Sequence, residues 1–278
     1  MAKYNIKDVY RDINTINGYF REDNLDGATI KITDNTVQDY CHYGNTKSKC
    51  GNYLEKASSG VIHVLKDLEK YGLEYDKLAE YAILWLRYKL NQQHPYYDTQ
   101  LNYFYNNYIV KNKCYNNQIK GNGTPTYKEI IDKKKDLMDI KEMTKFSYPF
   151  KLLLLLYDKN SKNSGKCTHS DYAKYFANKF EELNNDYNNI EGSSYNKMLH
   201  RLSDDYNNLK NKCTDFPSLP KIKTPPNKLI PVLSTFSVIP VFLGIAYKYS
   251  LFGVDKLFQR QYLRKQLKKV KKKLKLNI

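Results

Sequence analysis

The sequence predicts an all-α protein in four parts. These are a helical, disulfide-bonded ectodomain over 1–213, a Pro-rich linker over 214–228, one transmembrane helix over 229–247, and a short basic cytoplasmic tail over 248–278. Three observations carry this. Leu, Lys, Glu and Tyr recur at helical spacing through the first part, without strong strand-like alternation. One run of 19 residues near the C-terminus holds no charge. The residues after that run hold most of the excess basicity.

Composition excludes several classes. A mean hydropathy of -0.72 excludes a multi-span membrane protein. An aromatic content of 14% is too high for a chain that cannot build a core. With 12 Gly and 9 Pro, the chain is not collagen-like. The chain holds 40 Lys against 6 Arg, with 28 Asn and 27 Tyr. Lys, Asn and Tyr share A/T-rich codons, so the bias reads as genomic before it reads as functional. Arg is the residue preferred for bidentate phosphate and base contacts, and its scarcity argues against a nucleic-acid reader. The formal charge of +17 is also uneven. Residues 1–220 carry 32 basic and 28 acidic residues, whereas 248–278 carry 11 basic residues against Asp255 alone.

Candidate helices run over about 5–20, 53–71, 75–92, 97–113, 126–138, 140–157, 168–188 and 193–213. The 75–92 segment is apolar nearly all round, which places it at the centre of a bundle. Lys151–Tyr157 (KLLLLLY) is a second apolar element, too short to span a membrane. Turn signals at Gly72, His94-Pro95, Gly121-Asn122-Gly123 and Glu191-Gly192 separate the elements.

An external domain favours disulfides among the five cysteines. Cys167 precedes one helix and Cys213 closes the next. Their midpoint, residue 190, coincides with the turn signal Ile190-Glu191-Gly192, so an antiparallel hairpin brings the two ends together. Cys41 and Cys50 flank a short polar loop and form a local pair. Cys114 is left over as a free buried thiol. A metal reading of Cys41, His42, Cys50, Cys167 and His169 lacks the paired-knuckle spacing that zinc signatures need.

No catalytic motif is found: neither H-E-x-x-H, G-x-S-x-G, G-x-x-x-x-G-K-[ST] nor G-x-G-x-x-G occurs. Glu181-Glu182 and Asp204-Asp205 read as paired acids on exposed helix faces, solvated rather than catalytic. Asn122-Gly123-Thr124 is a lone glycosylation sequon. We expect no enzyme activity, no cofactor, no metal and no small-molecule substrate.

Pro217, Pro220, Pro225 and Pro226 make Thr214–Lys228 an extended spacer, expected to hold the first domain away from the bilayer. The charge-free run Leu229–Tyr247 (LIPVLSTFSVIPVFLGIAY) follows. With Lys248 snorkelling it extends to Gly253. About 19–25 helical residues span a hydrocarbon core of roughly 30 Å. Pro231 and Pro240 fit if Ser234, Thr235 and Ser237 re-satisfy the freed backbone. The alternative is a buried core helix, though core helices rarely run so long without a charge. Five basic residues within reach after the span outnumber three before it, which places the C-terminus in the cytosol. A tail-anchored chain with 1–228 in the cytosol is the runner-up. Translocating so basic a tail disfavours it. The first 20 residues lack an apolar segment, so the span is expected to act as its own membrane signal.

In the tail, Val254, Leu257, Phe258, Leu263, Leu267, Val270 and Leu274 fall at helical spacing. Arg260, Arg264, Lys265, Lys268, Lys269, Lys271, Lys272 and Lys273 surround them. This fits a basic amphipathic helix on an anionic leaflet. The alternative is a stop-transfer charge cluster without further role.

Together these residues resemble the Plasmodium interspersed repeat (PIR) family of malaria-parasite variant surface proteins. The resemblance is carried by Asp76–Leu90 (DKLAEYAILWLRYKL), Lys134–Met138 (KKDLM), Asn189–Gly192 (NIEG), Asp205–Lys210 (DYNNLK), Lys228–Ser234 (KLIPVLS), Phe242–Gly253 (FLGIAYKYSLFG) and Gln261–Arg264 (QYLR). It implies a helical disulfide-bonded ectodomain, one span and a basic cytoplasmic tail. It also implies export to the infected cell or parasite-derived membranes, antigenic variation, immune evasion and binding of a host receptor or antibody. Two family cysteines, one near the N-terminus and one in the segment matching Lys151–Tyr157, are missing here, and Cys114 is extra. The expected partners are membrane lipids and an unidentified host receptor or antibody, not nucleic acid. The alternative function is a membrane-anchored binder of acidic lipid or nucleic acid acting through the tail.

Overall fold

Helix α1 (Ile6–Gly18) starts where the Asn5 side chain accepts the Lys7 N–H at 3.2 Å. Its apolar stripe Ile6, Val9, Tyr10, Ile13 and Ile16 is buried. The structure is a computed structural model that describes residues 5–25, 28–160 and 167–223.

Strands β1 (Phe20–Leu25) and β2 (Ala28–Thr33) follow as an antiparallel hairpin, in register from Phe20 opposite Thr33 to Leu25 opposite Ala28. A second, minimal hairpin joins β3 (His42–Tyr43) to β4 (Thr46–Lys47). The all-α expectation is therefore corrected: the fold is mostly helical and carries two hairpins. The signal was short but present. Residues 28–33 read ATIKIT, alternating and rich in β-branched side chains, after an Asp-Gly turn pair.

The bundle is built on α2 (Tyr53–Glu69) and α3 (Tyr75–Gln92). Leu78 through Leu90 are all buried, so α3 is the central rod. It packs against α2, α5 (Tyr127–Asp132) and α6 (Met143–Lys159). Helix α1 covers α2 and α6, and α7 (Ser170–Asn184) with α8 (Ser194–Lys210) closes the other side of α6.

Three expected helices are shorter than the sequence implied. The 97–113 segment breaks into a 3-10 turn at Tyr96–Asp98, one turn of α4 (Leu101–Phe104), a π turn at Tyr105–Ile109 and a 3-10 turn at Lys113–Asn116. Asn and Tyr are weak helix formers, and Asn107 bonds the Tyr103 carbonyl at 3.0 Å. The 126–138 segment divides into α5 and a 3-10 turn at Lys135–Asp139. Helix α7 stops at Asn184, at the start of an Asn-rich turn.

Two disulfides staple the fold. Cys41 is bonded to Cys50, and Cys167 to Cys213, with Cα atoms 5.3 and 5.4 Å apart. The second joins the start of α7 to the end of α8. Cys114 is free but only half-buried, not enclosed as expected, because it sits on a short surface 3-10 turn.

The expected spacer also needs correction. The chain divides after Pro225 rather than 213. Phe216 is buried, and Leu219 and Ile222 pack on the core. The Tyr206 hydroxyl donates to the Pro217 carbonyl at 2.8 Å. Asn184 donates to the Lys221 carbonyl at 2.9 Å, and Asn189 to the Lys223 carbonyl at 2.8 Å. Residues 214–223 are thus bound along α7 and α8. The prolines fix an extended backbone, and extended backbone docks when it finds apolar contacts and hydrogen bonds. The expected span between Leu229 and Tyr247 and the basic tail residues Arg260 to Lys273 lie outside the described residues. Among the described residues, no helix is long and apolar enough to cross a membrane.

Candidate interaction surface

The polar centre of the bundle is Asp205. Tyr10 of α1 donates to its carboxylate at 2.8 Å, and Tyr81 of α3 at 2.9 Å. Tyr157 of α6 donates to its backbone carbonyl at 2.6 Å and stacks on Tyr10 with centroids 4.3 Å apart. One residue of α8 therefore ties three other helices. Burial pushes the Asp205 carboxyl up to about 7, partly offset by Arg201 and the two tyrosine hydroxyls. Burial raises Tyr10 as well, helped by the Asp205 charge. Arg201 pairs with Glu80 at 2.9 Å. Burial opposes the Arg201 charge, but Tyr81, Glu80 and Asp205 outweigh it and raise its pKa.

This finding corrects the expectation for Asp204-Asp205. Asp204 is exposed, but Asp205 is buried. The signal lay in its position, three residues after buried Leu202 on the apolar stripe of α8. Glu181 and Glu182 are exposed as expected. Because Asp205 is sealed from solvent, its role is architectural.

Among the described residues, two neighbouring grooves share Asp139, Ile140 and Lys141. One, of about 340 Å³, is bounded by Tyr97, Thr99, Met138 and Met143. Arg87 of α3 positions its wall, donating to the Tyr97 and Thr99 carbonyls at 2.7 Å each. Burial lowers the Arg87 pKa to about 10, offset in part by Asp98. The other groove, of about 470 Å³, is bounded by Asp136, Asn188, Ile190 and Tyr195. Ser194 donates to Asp136 across it. Lys145 of α6 pairs with Asp186 at 2.6 Å and holds the α7–α8 turn in place. Burial works against the Asp186 charge, but Lys145 and the Asn188 N–H outweigh it and hold the carboxyl below its usual range.

Exposed apolar side chains line both grooves, Tyr97 at 45% in one and Ile190 at 47% in the other, and Tyr187, 79% exposed, stands three residues before Ile190. Both grooves are lined by acidic as well as apolar side chains. Among the described residues, no cluster of three or more His, Cys, Asp or Glu could hold a metal. Sequence reasoning missed Asp205, Arg87 and the grooves, because each depends on which distant elements meet.

A family model described as Plasmodium variant antigen protein Cir/Yir/Bir matches residues 10–248. The chain belongs to this family. A solved structure of a Plasmodium PIR protein ectodomain is 32% identical to it, with a TM-score of 0.58. That match covers 79% of this chain and 99% of the other. No curated protein matches significantly. As a Cir/Yir/Bir protein, this chain presents a mostly helical unit stapled by two disulfides.

Proposed function

We propose that this protein is a non-enzymatic variant surface antigen, anchored by Leu229–Tyr247 with its helical unit outside and its basic tail in the cytosol. It serves antigenic variation and immune evasion in membranes of the infected cell, meeting a host receptor or antibody through its exposed surface. The observation that carries this reading is the coverage of the PIR match. The relative is an ectodomain of which 99% is covered by 79% of this chain, and this chain also holds a charge-free, span-length run at 229–247. The charge asymmetry across that run supports the orientation.

The test is protease added to the cytosolic side of sealed membranes holding the full chain. The helical unit should survive while the tail is cleaved. Loss of the helical unit would overturn the topology. Receptor or antibody binding is tested by displaying the chain on cells and screening host surface proteins and immune sera.

The basic tail supports a second reading, contact with acidic lipid. Each Lys or Arg near an anionic surface contributes about 1 kcal/mol, an attraction that fades with salt. A peptide of residues 254–278 should become helical on anionic vesicles and not on neutral ones. If it stays disordered on both, the tail is only a topology signal.

A further inference from the structure

We infer that the α7–α8 turn, through Tyr187 and Ile190, is a second membrane contact that seats the helical unit directly on the bilayer. The inference rests on the membrane-anchor reading above and adds a site on the folded unit. Three observations lead to it.

The first is where the chain leaves. Lys223 lies two residues before the first unit ends at Pro225, and it is bound to this very turn. Its N–H donates to Asn184 at 2.7 Å, its carbonyl accepts from Asn189 at 2.8 Å, and its ammonium reaches Asn185 at 2.6 Å. Asn189 stands between Tyr187 and Ile190 in the sequence, so exit point and turn tip are one place.

The second is tether length. Five residues, Thr224 to Lys228, separate Lys223 from Leu229, which makes six Cα–Cα steps. Fully extended they reach about 20 Å. The headgroup layer takes up about 5–8 Å of that. A unit of this size has a radius of gyration of roughly 17 Å, so the tether is shorter than the unit is wide. The exit end must therefore face the bilayer.

The third is what that end presents. Tyr187 is the most exposed large hydrophobic among the described residues, and Ile190 is close by. Tyrosine is enriched at membrane–water interfaces, where an apolar ring and a polar hydroxyl are both accommodated. The charges around the tip suit a headgroup layer. Asp186 is already paired to Lys145, Lys221 and Lys223 supply cations, and Glu191 is exposed, as are Asp136 and Asp139 of the groove that Ile190 lines, so both signs of charge meet the headgroups.

The test uses the full chain in lipid nanodiscs, with lipids brominated near the headgroup end of the acyl chains. Trp85, the only tryptophan, is fully buried and gives a constant background. Tyr187→Trp and Ile190→Trp add reporters at the turn, and Asn45→Trp adds one on the exposed β3–β4 turn. Emission from the first two should fall on brominated nanodiscs, with emission from the third unchanged. If the chain stays with the membrane through an alkaline wash but neither turn reporter is quenched more than Asn45→Trp, the contact is wrong. If the wash releases the chain, the anchor reading fails and this inference fails with it.

Discussion

Gly60 of α2 lies against the indole of Trp85 of α3. A Cβ at Gly60 would stand 2.2 Å from Trp85 Cη2 and 2.9 Å from Cζ3. The glycine is therefore what lets α2 and α3 meet over the largest fully buried side chain among the described residues. Sequence alone offers Ser58-Ser59-Gly60 as a run of small residues on an apolar helix. It does not say which partner the run faces.

Substituting Gly60→Ala tests the contact against helix propensity. Alanine should gain about 1 kcal/mol in a helix interior. Overpacking a core costs about 1–3 kcal/mol, and here the obstacle is a ring enclosed on all sides. We expect a net loss, read as a lower urea midpoint by circular dichroism. A gain would mean the helices separate freely.

Asp205 makes stability fall as pH rises. Its folded pKa of about 7 lies above the ordinary 3.8, so between these values the native state holds a proton that the unfolded state has lost. Stability should drop through that window and level off above about 7. Asp205→Asn keeps an acceptor for Tyr10 and Tyr81 and removes the titration, so its urea midpoint should lose this slope. Asp205→Ala removes the acceptor that two buried hydroxyls share, a loss of about 1–3 kcal/mol for a buried polar group, and should be much less stable at every pH.

Some of this was readable in advance. Helix α3 was, because it is apolar nearly all round and the centre of a bundle accepts that. The α7–α8 hairpin was, because its turn falls midway between Cys167 and Cys213. The Asp205 centre was not. Its partners Tyr10 and Tyr81 lie 195 and 124 residues away, beyond any local pattern. The β1–β2 hairpin was overlooked because six alternating residues weigh little among long helical runs. The grooves arise where the connection before α6 passes between loops from three parts of the chain, and no spacing encodes that.

The two disulfides should differ in worth. In the chain-entropy view a bond closing a longer loop removes more unfolded-state freedom. The separations are 46 residues for Cys167–Cys213 and 9 for Cys41–Cys50. The corresponding contributions are about 4 and about 2.5 kcal/mol. Replacing each pair by alanine should lower the urea midpoint, more for Cys167 and Cys213. Equal losses would point to residual structure in the unfolded chain that already closes the longer loop.

The docking of residues 214–223 depends on a ladder of three buried asparagines. Asn196 donates to Asn189 at 2.8 Å, Asn189 donates to the Asn184 carbonyl at 3.0 Å, and both Asn184 and Asn189 hold the passing strand. Asn189→Ala removes the middle rung and leaves the Lys223 carbonyl and the Asn196 amide without this partner. A buried polar group left unpaired costs about 1–3 kcal/mol, and here the strand can escape that cost by lifting off. Trypsin should then cut after Lys221 and Lys223 faster than in the parent chain, with fragment masses giving the sites. Asn207→Ala, on the exposed face of α8, is the control and should leave both rates alone. Parent and Asn189→Ala chains cut equally fast would mean that the segment is the free spacer its prolines alone imply.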